Sequence, residues 1–574
     1  EVFHRYTIYR PEMLARWTSG ASDAPTGGRP PVAKADDEWA SWQRELWRRL
    51  VSRTAPALPS RGARHLGERL TDLIADLRTK SSAAAPLIAE PRLILFGHHT
   101  LPPLFIDALV ALSEHVDVHL FRLTVGLGNL DHSAVRPHPL RASLGRLADD
   151  LTRLLDDKAR GATVHDLYVS PAPTTLLGRL KLAVLKGIAN EHLGTFDPSD
   201  DSLQFHACSS ELRQVEVLRD ELLALFSKDP GIEPRDVIVM TPDIETYAPL
   251  VDAVFRDGDP NLRDEDPRSA GFPPIHRLHD RSLRRTNPVA ESFLAVLDLV
   301  FGRHTLPQIL DLVTLAPVLA KAGLEEEDLA QIQRLAAAAG IRWGDDEEHR
   351  ARHGQPRLRS NTWREGFDRL LCGHAMASDG LTTWQGMVPV DEVEGKEVEQ
   401  LGLFIDYVER LFAELEGLEA PRTIPEWRAA LMGMTERLLV SDDESAGLAQ
   451  PIYDELAALD ERARAGGFSG LIDFDAMKAL IVPPFEARRP SISFLSGGLT
   501  FCTLLPMRTI PFKVVALLGM DSGTFPRAGE VLGFDLMEHD VQRGDRAPRD
   551  DDRMTFLETL AAAERHLIVT WTGI

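Results

Sequence analysis

Arginines grouped for phosphate binding are the first candidate chemistry in the sequence. They recur as Arg5 with Arg10, Arg61 with Arg64 and Arg69, Arg281 with Arg284 and Arg285, and Arg543 with Arg546 and Arg549. A guanidinium offers forked donors that match phosphate oxygens, and each phosphate contact is driven by release of condensed counterions. Any one group also suits a solvated protein face. In RGDRAPRDDDR at 543–553 two readings stand side by side: Arg543, Arg546 and Arg549 hold phosphates, or Asp550, Asp551 and Asp552 hold the arginines in an internal network. The aspartates also raise metal-dependent nuclease chemistry. No Glu or Lys follows at a nuclease-like spacing, and acids stabilised at a helix N-terminus are the simpler account.

Other constellations are weaker. VGLGN at 125–129 has Gly-x-Gly but lacks the third glycine and following helix of a dinucleotide site, so it reads as a loop. His98 and His99 are adjacent, and neighbouring side chains in extended structure diverge, which disfavours a shared metal. Cys208, Cys372 and Cys502 lie far apart and form no paired spacing, against a zinc site, a cluster or a disulfide framework. No metal site is expected. Trp39, Trp42 and Trp47 share a broad helix face with Leu46 and Leu50 and read as core packing, and Trp343 and Trp363 read as packing anchors.

The elements that must carry these residues alternate between α/β and helical patterns. WASWQRELWRRLV and RHLGERLTDLIADL read as amphipathic helices; RLILFG, LPPLFIDALVALSEH and VDVHLF read as a β-α-β unit. Helices follow in LRASLGRLADDLTRLLDD and TLLGRLKLAVLKGI. SLQFHACSS, QVEVLRDELLALF and RDVIVMTPD repeat the strand, helix, strand order, and from about 303 to 485 the pattern is mostly helical before the α/β signal returns at 492. The expected fold class is therefore α/β with helical insertions.

Length and charge bound the rest. The chain has 574 residues, enough for three or four domains, with 44% hydrophobic and 26% charged residues. A formal net charge of −23 excludes a protein that coats nucleic acid with its whole surface, so any DNA contact must be local. No apolar run approaches the roughly 18–20 residues that a bilayer demands. Glu1 opens mid-pattern with no leader, so an upstream segment is expected, and the scattered cysteines fit a reducing cytoplasm.

The segment 501–527, FCTLLPMRTIPFKVVALLGMDSGTFPR, resembles an ATP-site motif of superfamily I helicases in frame alone. Thr503, Gly519, Met520, Asp521, Gly523, Phe525 and Pro526 fit the motif, whereas its His, Lys, Gly and Glu are replaced by Leu505, Arg508, Thr509 and Pro511. Other positions that the same resemblance would fill are lost as well. Phe96 and Gly97 stand for the Asp-Glu pair that serves Mg²⁺ and water, and VDVHLFRLT has neither Gly nor Asp after His119. Met240 and Thr241 stand for Tyr-Arg. In DDDRMTFLETLAAAERHLIVTW, read as one helix with Arg553 near its start, Leu560 and Ala561 stand for the Thr-Arg step. The resemblance implies two RecA-like domains, built like P-loop helicases, whose nucleotide site is lost.

FHRYTIYRPEMLARW, LPPLFIDALVAL, PRDVIVMTPDIETYAPLVDAVF, DRSLRRTNPVAESFLAVLDL, GIRWG, NTWREGFDRLLCGHAM, the 501–527 segment, GFDLM and RGDRAPRDDDR together resemble the RecC family, the gamma subunit of exodeoxyribonuclease V. The resemblance implies a 1B-like helical region with a DNA-channel segment at 1–90, the rest of a first RecA-like domain at 91–200, a second one at 201–302 resumed at 491–574, and a 2B-like helical insertion at 303–490. It implies a subunit without ATPase or nuclease activity that channels separated strands and reads the signal Chi. Its partners would be RecB-like and RecD-like subunits, which consume ATP and Mg²⁺, and double-stranded DNA ends and single strands. A nuclease-like domain would follow Ile574. Arg10 becomes the carried-over contact in the single-strand channel or, on its chemistry alone, a structural ion-pair partner; His4 departs from an acidic family residue. Arg281, Arg284 and Arg285, in a loop after a strand, fall where motor domains grip a strand or form a solvated turn. An active helicase with its Walker A loop upstream, and an AddB-type subunit with a cysteine-held cluster, are the alternatives. The Phe96-Gly97 pair opposes the first and the scattered cysteines oppose the second.

Overall fold

The computed structural model describes residues 2–19, 35–54, 64–79, 91–123, 138–165, 167–188, 195, 197–255, 276–278, 282–376, 383, 386–390, 397–487, 498–504, 509–529 and 532–573. The chain divides into two compact units, one of Glu1–Asp280 with Pro490–Ile574 and one of Arg281–Arg489. VGLGN at 125–129, Arg61, Arg281, Leu505 and Arg508 lie outside the described residues.

The first unit is built on parallel sheets. Strands β1 (Arg92–Phe96) and β2 (Asp117–Phe121) pair in parallel, joined by the helix Pro103–Ser113. A larger sheet contains β3 (Leu203–Cys208), β4 (Val237–Thr241), β5 (His276–Leu278), β6 (Leu499–Thr503), β7 (Phe512–Leu517) and β8 (Ala563–Thr572). Among the described residues its strands number six, in the order β3-β8-β7-β4-β6-β5, all parallel. Parallel sheets must be covered on both faces, and the residues divide by parity as a pleated strand requires. Val237, Val239, Val514 and Ala516 face one core with Val215, Leu218 and Leu222 of the helix Glu211–Lys228 and Val251 of Ile244–Phe255. Ile238, Met240, Val515 and Leu517 face the other, with Leu177 and Val184 of Leu176–Lys186 and Met554 and Leu557 of Pro548–Ala562. Each such fully buried Val or Leu contributes about 1.5–3 kcal/mol relative to exposure, which fixes the strand register strongly.

The helices Val2–Tyr9, Pro11–Ser19 and Ala35–Thr54 gather around Tyr6, Leu14, Trp17 and Trp47, with Met537 of Leu536–His539 closing the cluster. Of the tryptophans read as one packing face, Trp47 is buried while Trp39 and Trp42 are exposed; Trp42 meets Phe534 edge-on, 5.5 Å between centroids. One broad helix face was wider than the neighbouring helices cover. The stretch read as one long helix to Trp571 is instead a helix, Pro548–Ala562, that passes directly into β8. Its residues 567–570, LIVT, are buried, and tertiary pairing overrides the helical pattern.

The second unit is helical, with Phe293, Trp363, Phe404, Tyr407, Trp427 and Phe485 at the centre of one core. Its helices start on chemically explicit caps, such as the Thr305–Gln308 and Thr423–Glu426 capping boxes. Trp363 is fully buried as an anchor and donates its indole N–H to the His304 carbonyl at 2.7 Å. Trp343 is half-buried, with the Arg350 guanidinium 4.7 Å above its ring.

Candidate nucleic-acid interface

In open α/β sheets a nucleotide lies outside the carboxyl ends of the strands, and here those ends are joined to one another by side chains. Gln214, in the first turn of the helix after β3, is fully buried. Its Oε1 accepts from the Gly519 amide at 2.9 Å and from the Thr570 hydroxyl at 2.7 Å, and its Nε2 donates to Thr572 Oγ1 at 2.9 Å. Both acceptor positions of its carbonyl oxygen and one amide N–H are thus spent inside the protein. Asp521 accepts from the Thr572 amide, and the Met520 amide donates to the Thr570 carbonyl at 3.1 Å. Gly519 sits at φ +72°, and a Cβ there would stand 2.7 Å from the Tyr247 ring. Burial, then the Asp521 carboxylate, push the Tyr247 hydroxyl above its usual range, so it stays neutral. The loop Gly519–Asp521 is thus bound to β8 and to the helix after β3.

The other positions that the helicase resemblance assigns to a nucleotide site are scattered. Phe96 is 81% exposed, and Gly97 after it adopts φ +79° with open space around it. Thr241 is buried and its hydroxyl accepts from the Asp243 amide at 3.3 Å. Thr509 is exposed. Pro511 and Ala561 line a cleft of about 730 Å³ together with Lys181, Asp200 and Asp201. Lys181 donates to the Ala563 carbonyl at 2.7 Å, and burial holds its ammonium below the usual lysine range.

The arginines near both ends of the chain meet in one acidic and basic network. Arg10 grips Asp545 with both terminal nitrogens, at 2.9 and 2.6 Å, and donates further to the carbonyls of Tyr9 and Asp540. Arg5 pairs with Asp535 at 2.7 Å. Gly544, at φ +93° and close against Leu154, makes the turn that aims Asp545 at Arg10. The three consecutive aspartates each hold a different arginine: Asp550 binds Arg146 at 2.5 Å, Asp551 binds Arg546 through two bonds of 3.1 Å, and Asp552, nearly fully buried, binds both the backbone and the side chain of Arg527. The hydrogen bonds it donates to Asp552 also hold the Arg527 guanidinium above its usual range. These aspartates are more than helix N-terminal acids.

The candidate DNA contacts therefore differ in what they have left to offer. Arg543 is exposed and pairs with Asp157 at 3.0 Å. Arg546 is exposed at its edge, and Arg549 is exposed with no ion pair to any described residue. His4 is exposed on the first helix, where its carbonyl accepts from Thr7. Arg284 and Arg285 lie in the short helix Leu283–Thr286 rather than in a loop; Arg284 is 3.3 Å from Glu486, and Arg285 is 3.8 Å from Glu291. Sequence reasoning missed Gln214, Tyr247, Asp535 and Asp545. Nothing local marks them, because their partners lie hundreds of positions away.

Two family models match the chain: "RecC, N-terminal domain" over residues 1–187 and "RecBCD enzyme subunit RecC fourth domain" over residues 286–489. Among curated proteins, the chain is 35% identical to the RecBCD enzyme subunit RecC of Mycolicibacterium smegmatis, over 100% of this chain and 51% of that protein. It is 34% identical to that of Mycobacterium tuberculosis, again over 100% of this chain and 51% of the relative, and 30% identical to that of Escherichia coli, over 100% and 54%. The chain spans about half the length of the curated relatives it matches. With both models and full-chain similarity pointing one way, the chain belongs to the RecC family.

Proposed function

We propose that the chain is a catalytically silent, helicase-shaped subunit of a RecBCD-type helicase-nuclease in bacterial double-strand break repair. In this reading its two RecA-like domains guide the separated strands and sample the signal Chi. RecB-like and RecD-like partners bind ATP and Mg²⁺ and pull the DNA. The observation that carries the proposal is the Gln214, Thr570, Thr572 and Gly519 network, which occupies the strand ends where a motor would seat its nucleotide. The cytoplasm is the expected compartment, and no helix among the described residues is long and apolar enough to cross a membrane.

The DNA contacts proposed are Arg543, Arg546, Arg549 and His4 on the first unit and Arg285, with Arg284, on the second. Arg10 is assigned the support of the Asp545 turn that carries Arg543 and Arg546. Guanidinium groups at a surface, whether unpaired among the described residues like Arg549 or exchanging a carboxylate partner for a phosphate, hold the backbone without reading bases, which suits a channel through which any sequence must pass. Calorimetric titration of the chain with a non-hydrolysable ATP analogue and Mg²⁺ tests the silent-site reading. No saturable heat is expected, and a stoichiometric site abolished by substitutions at Gln214 would overturn it.

A further inference from the structure

In the helical unit, three side chains converge on one point that the proposed DNA-guiding role does not use. His304 Nδ1 lies 2.6 Å from Asp345 Oδ1. His349 Nδ1 lies 3.9 Å from the same oxygen. All three ligand atoms fall within 4.8 Å of one another. Both imidazoles are buried, and they stack with centroids 4.6 Å apart. Phe412 also stacks on His304, with centroids 5.2 Å apart.

The hydrogen bonds define what the cluster needs. His304 Nε2 lies 3.1 Å from the Leu299 carbonyl, which only accepts, so Nε2 carries a proton. Histidine ligands commonly donate their second nitrogen to a backbone carbonyl in this way, and that bond turns Nδ1 toward the metal. Two acceptors, an imidazole lone pair and a carboxylate, cannot face each other at 2.6 Å without a cation between them. A proton satisfies only that pair. It leaves His349 Nδ1, which is buried and has no hydrogen-bond partner, as an orphan beside a carboxylate. A metal ion satisfies all three atoms at once. His304 is moreover held at φ +50°, a strained backbone for a histidine, which aims its ring at Asp345.

We infer that His304, Asp345 and His349 bind one divalent transition-metal ion of the zinc class, clipping the turn at 301–305 to the segment 345–349. Zinc accepts nitrogen and carboxylate ligands at about 2.0–2.2 Å in a tetrahedron, which sets neighbouring ligands roughly 3.3 Å apart. The observed 2.6 and 3.9 Å separations straddle that value and the third lies within 4.8 Å, so side-chain rotation in the cluster completes the site. Water takes the fourth position. Hard cations such as Ca²⁺ and Mg²⁺ are disfavoured because they require six or more oxygen ligands.

The test uses the whole chain after exhaustive dialysis against a chelator, titrated with Zn²⁺ by calorimetry and with Co²⁺ by visible absorption. One site with a tetrahedral Co²⁺ spectrum is expected, with Zn²⁺ raising the melting temperature. His349→Ala and Asp345→Asn should each weaken Zn²⁺ binding at least about tenfold and cancel the metal-dependent rise in melting temperature. His349→Gln, checked for native circular dichroism, replaces any variant that does not fold. Absence of saturable binding in the wild type, or unchanged affinity and stoichiometry in the variants, overturns the assignment and leaves a plain histidine–aspartate pair.

Discussion

Arg10 and Asp545 are joined by a two-pronged ion pair across 535 positions of sequence, Nη1 to Oδ1 at 2.9 Å and Nη2 to Oδ2 at 2.6 Å. With side-chain exposures of 12% and 7%, the pair is mostly withdrawn from water. The residue with the clearest resemblance-based claim to DNA is thereby also a structural tie between the first helices and the turn that carries Arg543 and Arg546.

Removing one partner of such a pair leaves a buried charge uncompensated. Arg10→Ala is expected to destabilise the chain by about 3 kcal/mol in urea denaturation. Arg10→Lys should recover less than half of that, because an ammonium keeps the charge but loses the fork. A stability unchanged by Arg10→Ala would mean that the guanidinium contributes nothing to the fold and is held for a ligand alone.

Gly519 makes a second, local prediction. Its φ of +72° strains any other residue, and a Cβ would meet the Tyr247 ring at 2.7 Å. Gly519→Ala should cost about 2 kcal/mol or more, from roughly 1–2 kcal/mol of backbone strain plus the contact. Combining it with Tyr247→Ala removes the clash and not the strain, so the two effects should be less than additive in a double-mutant cycle.

Much of this fold was legible in the sequence wherever a pattern was local. VIVM and VVALL read as buried strands because an unbroken apolar run is what a sheet covered on both faces demands. ERHLIVTW did not, because alanines and charges before it extend a helical pattern, and only pairing with β3 and β7 makes it a strand. The candidate site was less legible. The two-way reading of the three aspartates was the right question, but Arg146 and Arg527 hold two of them and neither stands in the same motif. Likewise the cluster of His304, Asp345 and His349 joins positions 41 apart, whereas the adjacent His98 and His99 were the visible pair.

Gln214 gives the most direct check on the closed strand ends. Gln214→Leu keeps the volume and removes the donor and acceptor, stranding the Gly519 amide, while the Thr570 hydroxyl keeps the Leu517 carbonyl and the exposed Thr572 hydroxyl turns to water. The expected loss is about 1–3 kcal/mol, the cost of one unsatisfied buried group. Hydrogen exchange at the Gly519 amide should accelerate with it. Retention of full protection there would show that the loop is held by packing rather than by the side-chain amide.

Exposed arginines separate the phosphate-holding role from the structural one. Arg549 is exposed, with no ion pair to any described residue, so Arg549→Ala should change stability by no more than about 0.5 kcal/mol. If it holds one phosphate, binding of the chain to a forked duplex should weaken, and the slope of log affinity against log salt should become shallower by about 1. Arg546→Ala frees the Asp551 carboxylate as well as removing a cation. It should therefore weaken DNA binding more than Arg549→Ala, through repulsion added to the lost contact, and the excess should vanish in Arg546→Ala combined with Asp551→Asn. Fluorescence anisotropy at several salt concentrations reads both quantities. Equal salt slopes in wild type and Arg549→Ala would remove that arginine from the interface, and an excess that survives Asp551→Asn would mean that Arg546 acts on DNA directly rather than by masking its neighbour's charge.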